Sequence, residues 1–310
     1  MTAAAPVSIG MPVRNEARWI AAAIDSLLAQ TWTDFELTIA DNASGDATEE
    51  ICRAAAAHDA RVRYIRRPCD VGVRENWNAL AREARGEYFC WAPGHDRWRP
   101  EFLATCVAAL EEQPRRAALG RTAASADPTV VLAYPLATGI DSDGREIPVH
   151  DCRLDIRGLR AERRFLTVLF GLSSALPIHG VMRTSAIQRT RGLGANVGPE
   201  YPVLAELALL GAIAHVPRVL FEYRRVREET TREFTRRTVS AWQRRRRRQL
   251  VLTPEWELLR EHLRVVRHAP LPAATRSLLA VCVAIQALDR FAVRGPRLTW
   301  LSDDGGRGWL

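Results

Sequence analysis

Four short segments concentrate the residue types that can grip a charged ligand: Pro12-Val13-Arg14-Asn15-Glu16, Asp41-Asn42-Ala43-Ser44, Asp70-Val71-Gly72-Val73-Arg74 and Gly94-His95-Asp96. A guanidinium fork matches phosphate oxygens in shape and charge. A carboxylate accepts an N–H or holds a divalent cation, and imidazole tolerates the same kind of ion. Brought to one crevice, these segments would suit a charged nucleotide with Mg²⁺ or Mn²⁺. Asp41 or Asp96 alone reads equally well as a turn residue, so their joint placement carries the expectation.

The elements around them have the right character to bring them together. Val7 to Met11 is a short apolar run, and Glu16 to Gln30 places Ile20, Ala23, Ile24, Leu27 and Leu28 on one helical face, with Asn15 positioned to cap it. Phe35, Leu37 and Ile39 alternate as a strand ending at Asp41, and the turn Ser44-Gly45-Asp46 leads into a helix over Ala47 to Ala57. Val62 to Ile65 is a third strand, Val73 to Ala84 a third helix, and Glu87 to Trp91 a fourth strand. Strands separated by helices require right-handed crossovers, hence an α/β, mostly parallel sheet flanked by helices. Such sheets bind ligands beyond the carboxyl ends of their strands, where all four segments fall.

Composition excludes several alternatives. The chain has 310 residues, 47% hydrophobic and 26% charged, enough to bury a sizeable core. Its net charge is +8, and every basic residue is arginine, which removes Schiff-base and P-loop lysine chemistry. The six cysteines are scattered with no C-x-x-C pair, which predicts neither structural zinc nor a disulfide framework and fits a reducing compartment. Met1 to Gly10 lacks signal-peptide character. The apolar run Leu278 to Leu288 is shorter than the about 20 residues a bilayer span needs. The expectation is a cytoplasmic protein, at most membrane-peripheral through the basic run Arg244 to Arg248; nucleic acid is not an expected partner. Asp141-Ser142-Asp143 precedes Gly144 between two strand-like runs and reads as a hairpin turn rather than a metal motif.

Taken with their order and spacing, these segments closely resemble family 2 glycosyltransferases of the GT-A (Rossmann-like) fold. The resemblance rests on Val7 to Glu16, Ser26 to Trp32, Asp34 to Leu37, Asp41 to Thr48, Gly72 to Asn78, and Gly86 to Phe89 running on to Gly94-His95-Asp96. It implies transfer of a sugar from a UDP, GDP or dTDP donor to an acceptor hydroxyl with inversion. Pro12, Val13, Arg14 and Glu16 would line the base and ribose pocket, with Asp41 accepting from the base beside Asn42. Arg74 would face the nucleotide or its diphosphate. Where the family carries an Asp-x-Asp or Asp-Asp pair, this chain keeps only Asp96 as the expected ligand of Mg²⁺ or Mn²⁺, and His95 would contact ribose or phosphate or join the metal.

The resemblance extends more thinly into the second half. Glu200, ahead of the apolar segment Val203 to Leu210, resembles the family's catalytic base, where Asp is commoner, or else only favours a helix N-terminus electrostatically; Glu206 is the reserve, expected to face solvent. His179 reads either as a donor or acceptor contact or as a structural histidine, and one arginine of Tyr223-Arg224-Arg225 would meet the diphosphate. The expected organisation is a nucleotide-sugar-binding and catalytic domain over 1–225 and a mainly helical region over 226–310. A small molecule, a lipid-linked compound or a saccharide would serve as acceptor, with single addition favoured over polymer synthesis. The alternatives are a catalytically dead nucleotide-sugar-binding protein and a nucleotidyltransferase, which would need a Gly-rich phosphate loop and an N-terminal lysine that this chain lacks.

Overall fold

A computed structural model describes residues 6–112, 129–149, 152–196, 198–225 and 254–294. The first four strands are β1 (Val7–Val13), β2 (Phe35–Asp41), β3 (Val62–Arg66) and β4 (Tyr88–Trp91), linked by helices α1 (Ile20–Leu28), α2 (Thr48–His58) and α3 (Val73–Glu83). They lie side by side in the order β3-β2-β1-β4, all parallel. β1 is buried along its whole length because helices cover both faces. Ile9, Met11 and Val13 pack in one cluster with Ile20, Ile24 and Leu27. The opposite face holds Leu80, Phe89 and Trp91 in a second cluster. α3 presses so closely on the sheet that a Cβ at Gly10 would stand 2.9 Å from that of Leu80.

The second half completes a mixed sheet. β5 (Arg97–Trp98), α4 (Phe102–Glu111), β6 (Val130–Ile140), β7 (Glu146–Ile147) and α5 (Ala161–Gly171) are followed by a short 3-10 turn at Leu176–His179 and by β8 (Val181–Arg183). Then come α6 (Thr184–Ile187), α7 (Glu200–Leu210) and β9 (Ala212–Arg224). β8 lies antiparallel between β4 and β6, β9 runs parallel to β6, and β5 closes the edge antiparallel to β9. The mostly parallel character expected from the alternating first half is thus joined to antiparallel pairings that short β5 and β8 did not announce. β6 and β7 pair as the expected hairpin, with Gly139 opposite Ile147. Two C-terminal helices, α8 (Pro254–His268) and α9 (Ala273–Arg294), pack on the core through Val265, Val266, Leu279 and Val283, in the cluster that also holds Phe165 and Val203. The run Arg244 to Arg248 lies outside the described residues, as does the start of the expected second region at residue 226.

One boundary differs for a physical reason. α1 begins at Ile20, and Asn15 does not cap it. Asn15 instead takes a left-handed backbone (φ 57°), and residues 16–19 form a turn closed by the Trp19 and Ile20 N–H groups on the Glu16 carbonyl. Asn tolerates this backbone region better than most residues.

Candidate active site

In an open parallel sheet the crevice forms where successive strands turn to opposite sides. Here β2 and β3 lie on one side of β1 and β4 on the other, so the reversal falls between β1 and β4. The segment after β1 and Gly94-His95-Asp96 after β4 are therefore neighbours. Gly94 is required there, because a Cβ would stand 2.7 Å from Cγ1 of Val13 and 3.3 Å from Cγ of Glu16.

Loops after β1 and β2 are knitted together by polar contacts. The Asn15 N–H donates to Ser44 Oγ at 2.9 Å, Asn15 Oδ1 accepts from the Gly45 N–H at 2.8 Å, and the Glu16 N–H donates to Thr48 Oγ1 at 2.8 Å. Asp41 is fully buried. Its Oδ1 accepts from the N–H and hydroxyl of Ser44, and its Oδ2 from the Tyr64 hydroxyl at 2.7 Å and the Arg66 guanidinium at 2.9 Å. All of its lone-pair directions are therefore engaged within the chain. A nucleobase N–H could bond to it only by displacing one of these donors. Ser44 follows Ala43, itself at φ 57°.

Asp70 is the organiser that residue types alone did not single out. Its carboxylate accepts from Arg14, from Asn42 Nδ2 at 2.6 Å and from the Gly72 N–H at 2.8 Å, while Asn42 Oδ1 takes the Val71 N–H at 2.9 Å. The Gly72 N–H, with help from Asn42 and Arg14, holds the Asp70 carboxyl below its ordinary range. Asp70 thereby joins the loops after β1, β2 and β3. Arg74 stands exposed in the first turn of α3, without an ion-pair partner among the described residues.

Across the crevice the arrangement is acidic and partly unsatisfied. Glu16 turns toward the fourth loop, and its Oε1 meets His95 Nδ1 at 3.0 Å while Oε2 is buried with no partner. Asp96 is fully buried; Oδ1 accepts from the Arg224 N–H at 2.7 Å, and Oδ2 has no partner. Burial raises the Asp96 carboxyl to about 6. Burial by itself would lower His95, but the carboxylates of Asp96 and Glu16 more than offset it and hold the imidazole above its ordinary value. Arg224 does not face the crevice as a phosphate ligand: its Nε bonds the His95 carbonyl and its Nη1 the Asp141 carbonyl, each at 2.8 Å. It clamps the His95-Asp96 loop to the hairpin turn. That turn is a turn as expected, with Asp141 Oδ1 accepting the N–H groups of Asp143 and Arg145 at 2.9 Å.

Glu200 is the first residue of α7, half-buried, and burial raises its carboxyl to about 7. The Tyr223 hydroxyl, raised by burial first, feels the negative charge of both Asp96 and Glu200. Both acids are thus within electrostatic reach of Tyr223. Glu206 does not face solvent. It pairs with Arg191 and accepts the Arg191 N–H at 2.8 Å, tying the preceding loop to α7. His179 is buried against Trp77 and Phe221, with ring centroids 6.1 and 5.4 Å apart. Burial pushes its imidazole down to about 3, so it is a neutral part of the packing.

A cation fits this donor set in a limited way. Asp96 Oδ2 and Glu16 Oε2 are acceptor-only oxygens left without donors, but no group of three or more potential ligands is assembled among the described residues. A divalent ion would need ligand phosphate oxygens and water to complete its shell. A separate cavity of about 530 Å³, lined by Ser8, Glu36, Arg63, Arg82 and Arg85 among others, lies beside α3 and shares no residue with this crevice.

In sequence and fold the chain is similar to known glycosyltransferases. Over 114 residues the chain is 25% identical to glycosyltransferase GlyG of Streptococcus pneumoniae, covering 37% of this chain and 38% of GlyG. The chain thus spans about two fifths of that relative. The fold matches Staphylococcus aureus TarS 1–349 in complex with UDP-GlcNAc, with a TM-score of 0.65 at 15% identity over 94% of this chain and 76% of TarS 1–349. It also matches mannosyltransferase PcManGT of Pyrobaculum calidifontis in complex with GDP-Man and Mn²⁺, with a TM-score of 0.53 at 19% identity over 95% of this chain and 77% of PcManGT. The fold is therefore GT-A. The profile of glycosyl transferase family 2 matches residues 8–163, half of the sequence including the segments that follow β1 to β4, and the chain belongs to that family.

Proposed function

We propose that this protein transfers one sugar from a nucleotide-sugar to an acceptor hydroxyl with inversion at the anomeric carbon. The observation that carries the reading is the pairing of an acidic, partly unsatisfied donor pocket at the strand reversal with Glu200, an acid raised to about 7 and, like Asp96, within electrostatic reach of Tyr223. A base whose pKa lies near the working pH is best placed to accept a proton from an attacking hydroxyl.

In this mechanism the base and ribose lie against Pro12, Val13 and the Arg14-Asp70-Asn42 network, with Asp41 setting the shape of that loop. The diphosphate lies between Arg74 and His95. His95 donates Nδ1–H to Glu16, and in the imidazolium form that the flanking carboxylates favour it has Nε2–H as a second donor toward phosphate. Asp96, with Glu16 beside it, would hold Mg²⁺ or Mn²⁺; when bound, that ion neutralises charge on the leaving diphosphate. Glu200 removes the acceptor proton as oxygen attacks from the face opposite the departing diphosphate, so inversion follows from one displacement. A UDP donor is favoured by the TarS complex, with GDP supported by the PcManGT complex. Small-molecule, lipid-linked and saccharide acceptors all suit this chemistry.

The lone acid at the metal position favours one second reading, a donor-binding protein without turnover. Titration calorimetry with UDP-GlcNAc and GDP-mannose, paired with an assay for slow donor hydrolysis, separates the two. Binding with measurable hydrolysis supports the enzyme; binding with none, at any metal, supports the inactive protein.

A further inference from the structure

The C-terminal helices carry a feature that the transfer chemistry does not use. From Leu278 to Leu288, α9 contains no charged residue. One face, with Leu279, Val283 and Ala287, is buried in the core. The opposite face exposes Leu278, Val281, Ile285 and Leu288, which are 54 to 64% open to solvent. Their spacing of three, four and three residues aligns them along a single stripe. A helix that is apolar on both faces is normally covered on both. α9 is nonetheless not apolar and long enough to cross a bilayer, and no described helix is.

The surroundings say what covers the stripe. Phe170 on α5 is 55% exposed and adjoins Leu169, whose carbonyl accepts from Gln286 of α9. α8 packs against α9 and exposes Trp256 and Leu263 together with Arg260, Arg264 and Arg267. The hairpin's described acids are withdrawn: Glu257 is buried, and Glu261 is 14% exposed and surrounded by Arg191, Arg260 and Arg264. The large exposed side chains of the hairpin are therefore mainly apolar residues, tryptophan and arginines, with no exposed carboxylate among the hairpin's described side chains. A second copy docked through the same hairpin would offer those arginines no exposed carboxylate among the described side chains. An interfacial helix hairpin with this composition fits the boundary between acyl chains and anionic headgroups.

We propose that the α8-α9 hairpin docks the protein on an anionic lipid surface, with Leu278, Val281, Ile285 and Leu288 entering the interface and Arg260, Arg264 and Arg267 meeting headgroup phosphates. Adsorption is independent of the transfer reaction. Its consequence, that the acceptor is presented from the bilayer, rests on the function proposed above.

The test is co-sedimentation of the full chain with vesicles of phosphatidylcholine alone and with about one quarter phosphatidylglycerol. Thermal shift with UDP-GlcNAc on the same samples reports donor binding separately. The wild type is expected to sediment with the anionic vesicles only. L278E/I285E, two outward positions, should lose binding about tenfold while keeping its melting temperature. R260Q/R264Q/R267Q should bind several-fold more weakly and with a shallower salt dependence. Equal binding by L278E/I285E and wild type would assign adsorption to another segment, such as Arg244 to Arg248, and overturn the proposal. So would absence of binding to anionic vesicles, or a wild-type dimer by light scattering that L278E/I285E dissolves.

Discussion

Glu200 and Asp96 owe their properties to what does not surround them. Neither makes an ion pair with a described residue, and burial raises the first to about 7 and the second to about 6. For Glu200 this sets a direction for two measurements. As the base it must be ionised, so turnover should climb with pH through about 7 and level off above it; a profile flat from pH 5 to 9 would remove it from that role. Stability should move the other way. A carboxyl whose folded pKa lies above its unfolded value favours the fold below the unfolded pKa, and that contribution is lost as pH rises through about 7. Glu200→Gln, which abolishes the charge, should therefore cut turnover by about 10²- to 10⁴-fold. At pH 8 it should also raise the melting temperature by roughly 2–4 °C, about what 1 kcal/mol is worth in a domain of this size. A variant that loses activity and stability together would mark Glu200 as structural.

Element by element, the crevice depends on loops held by contacts that residue type alone does not reveal. Gly94 packs on the loop after β1, and Gly94→Ala would force a Cβ against Val13 and Glu16. Overpacking of this kind costs about 1–3 kcal/mol, and the donor KM should rise alongside the loss of stability. Asp70 offers a contrast. Its pairing with Arg14 is between half-exposed side chains, 46% and 42% open, where solvent screening leaves an ion pair little weight in stability. Asp70→Asn should thus leave stability close to wild type yet raise donor KM several-fold, because the Oδ2 that Arg14 bonds is replaced by an NH2 donor while Asn42 and Gly72 keep Oδ1. An unchanged KM would show that the loops hold their shape without it. The strands and helices of the first half were legible because apolar periodicity and chain reversals are local properties. Asn15, Asp70, Glu206 and Arg224 were not, because their partners are distant in sequence: Asn15 meets Ser44 and Gly45, Asp70 meets Arg14 and Asn42, Glu206 meets Arg191, and Arg224 meets His95 and Asp141.

For the whole molecule, the question is how a crevice with one well-placed acid and a second beside it manages the charge of a diphosphate. If a divalent ion completes the site, chelation should abolish transfer, and Mn²⁺ or Mg²⁺ should restore it in wild type but not in Asp96→Ala. Transfer that persists in excess chelator would leave His95 and Arg74 to carry the leaving group. The order and types of the residues were enough to determine that strands alternate with helices, that the polar segments follow strand ends, and that lysine chemistry is excluded, since these follow from short-range periodicity and composition. Only the tertiary structure decided that Glu16 faces His95, that Asp41 is saturated by its own neighbours, that Arg224 is a clamp, and that α9 leaves an apolar face outward. Each of these depends on which surfaces packing brings together and which it leaves uncovered, and side-chain burial, the quantity that sets both the acidity of Glu200 and the exposure of Leu278, exists only once the chain has folded.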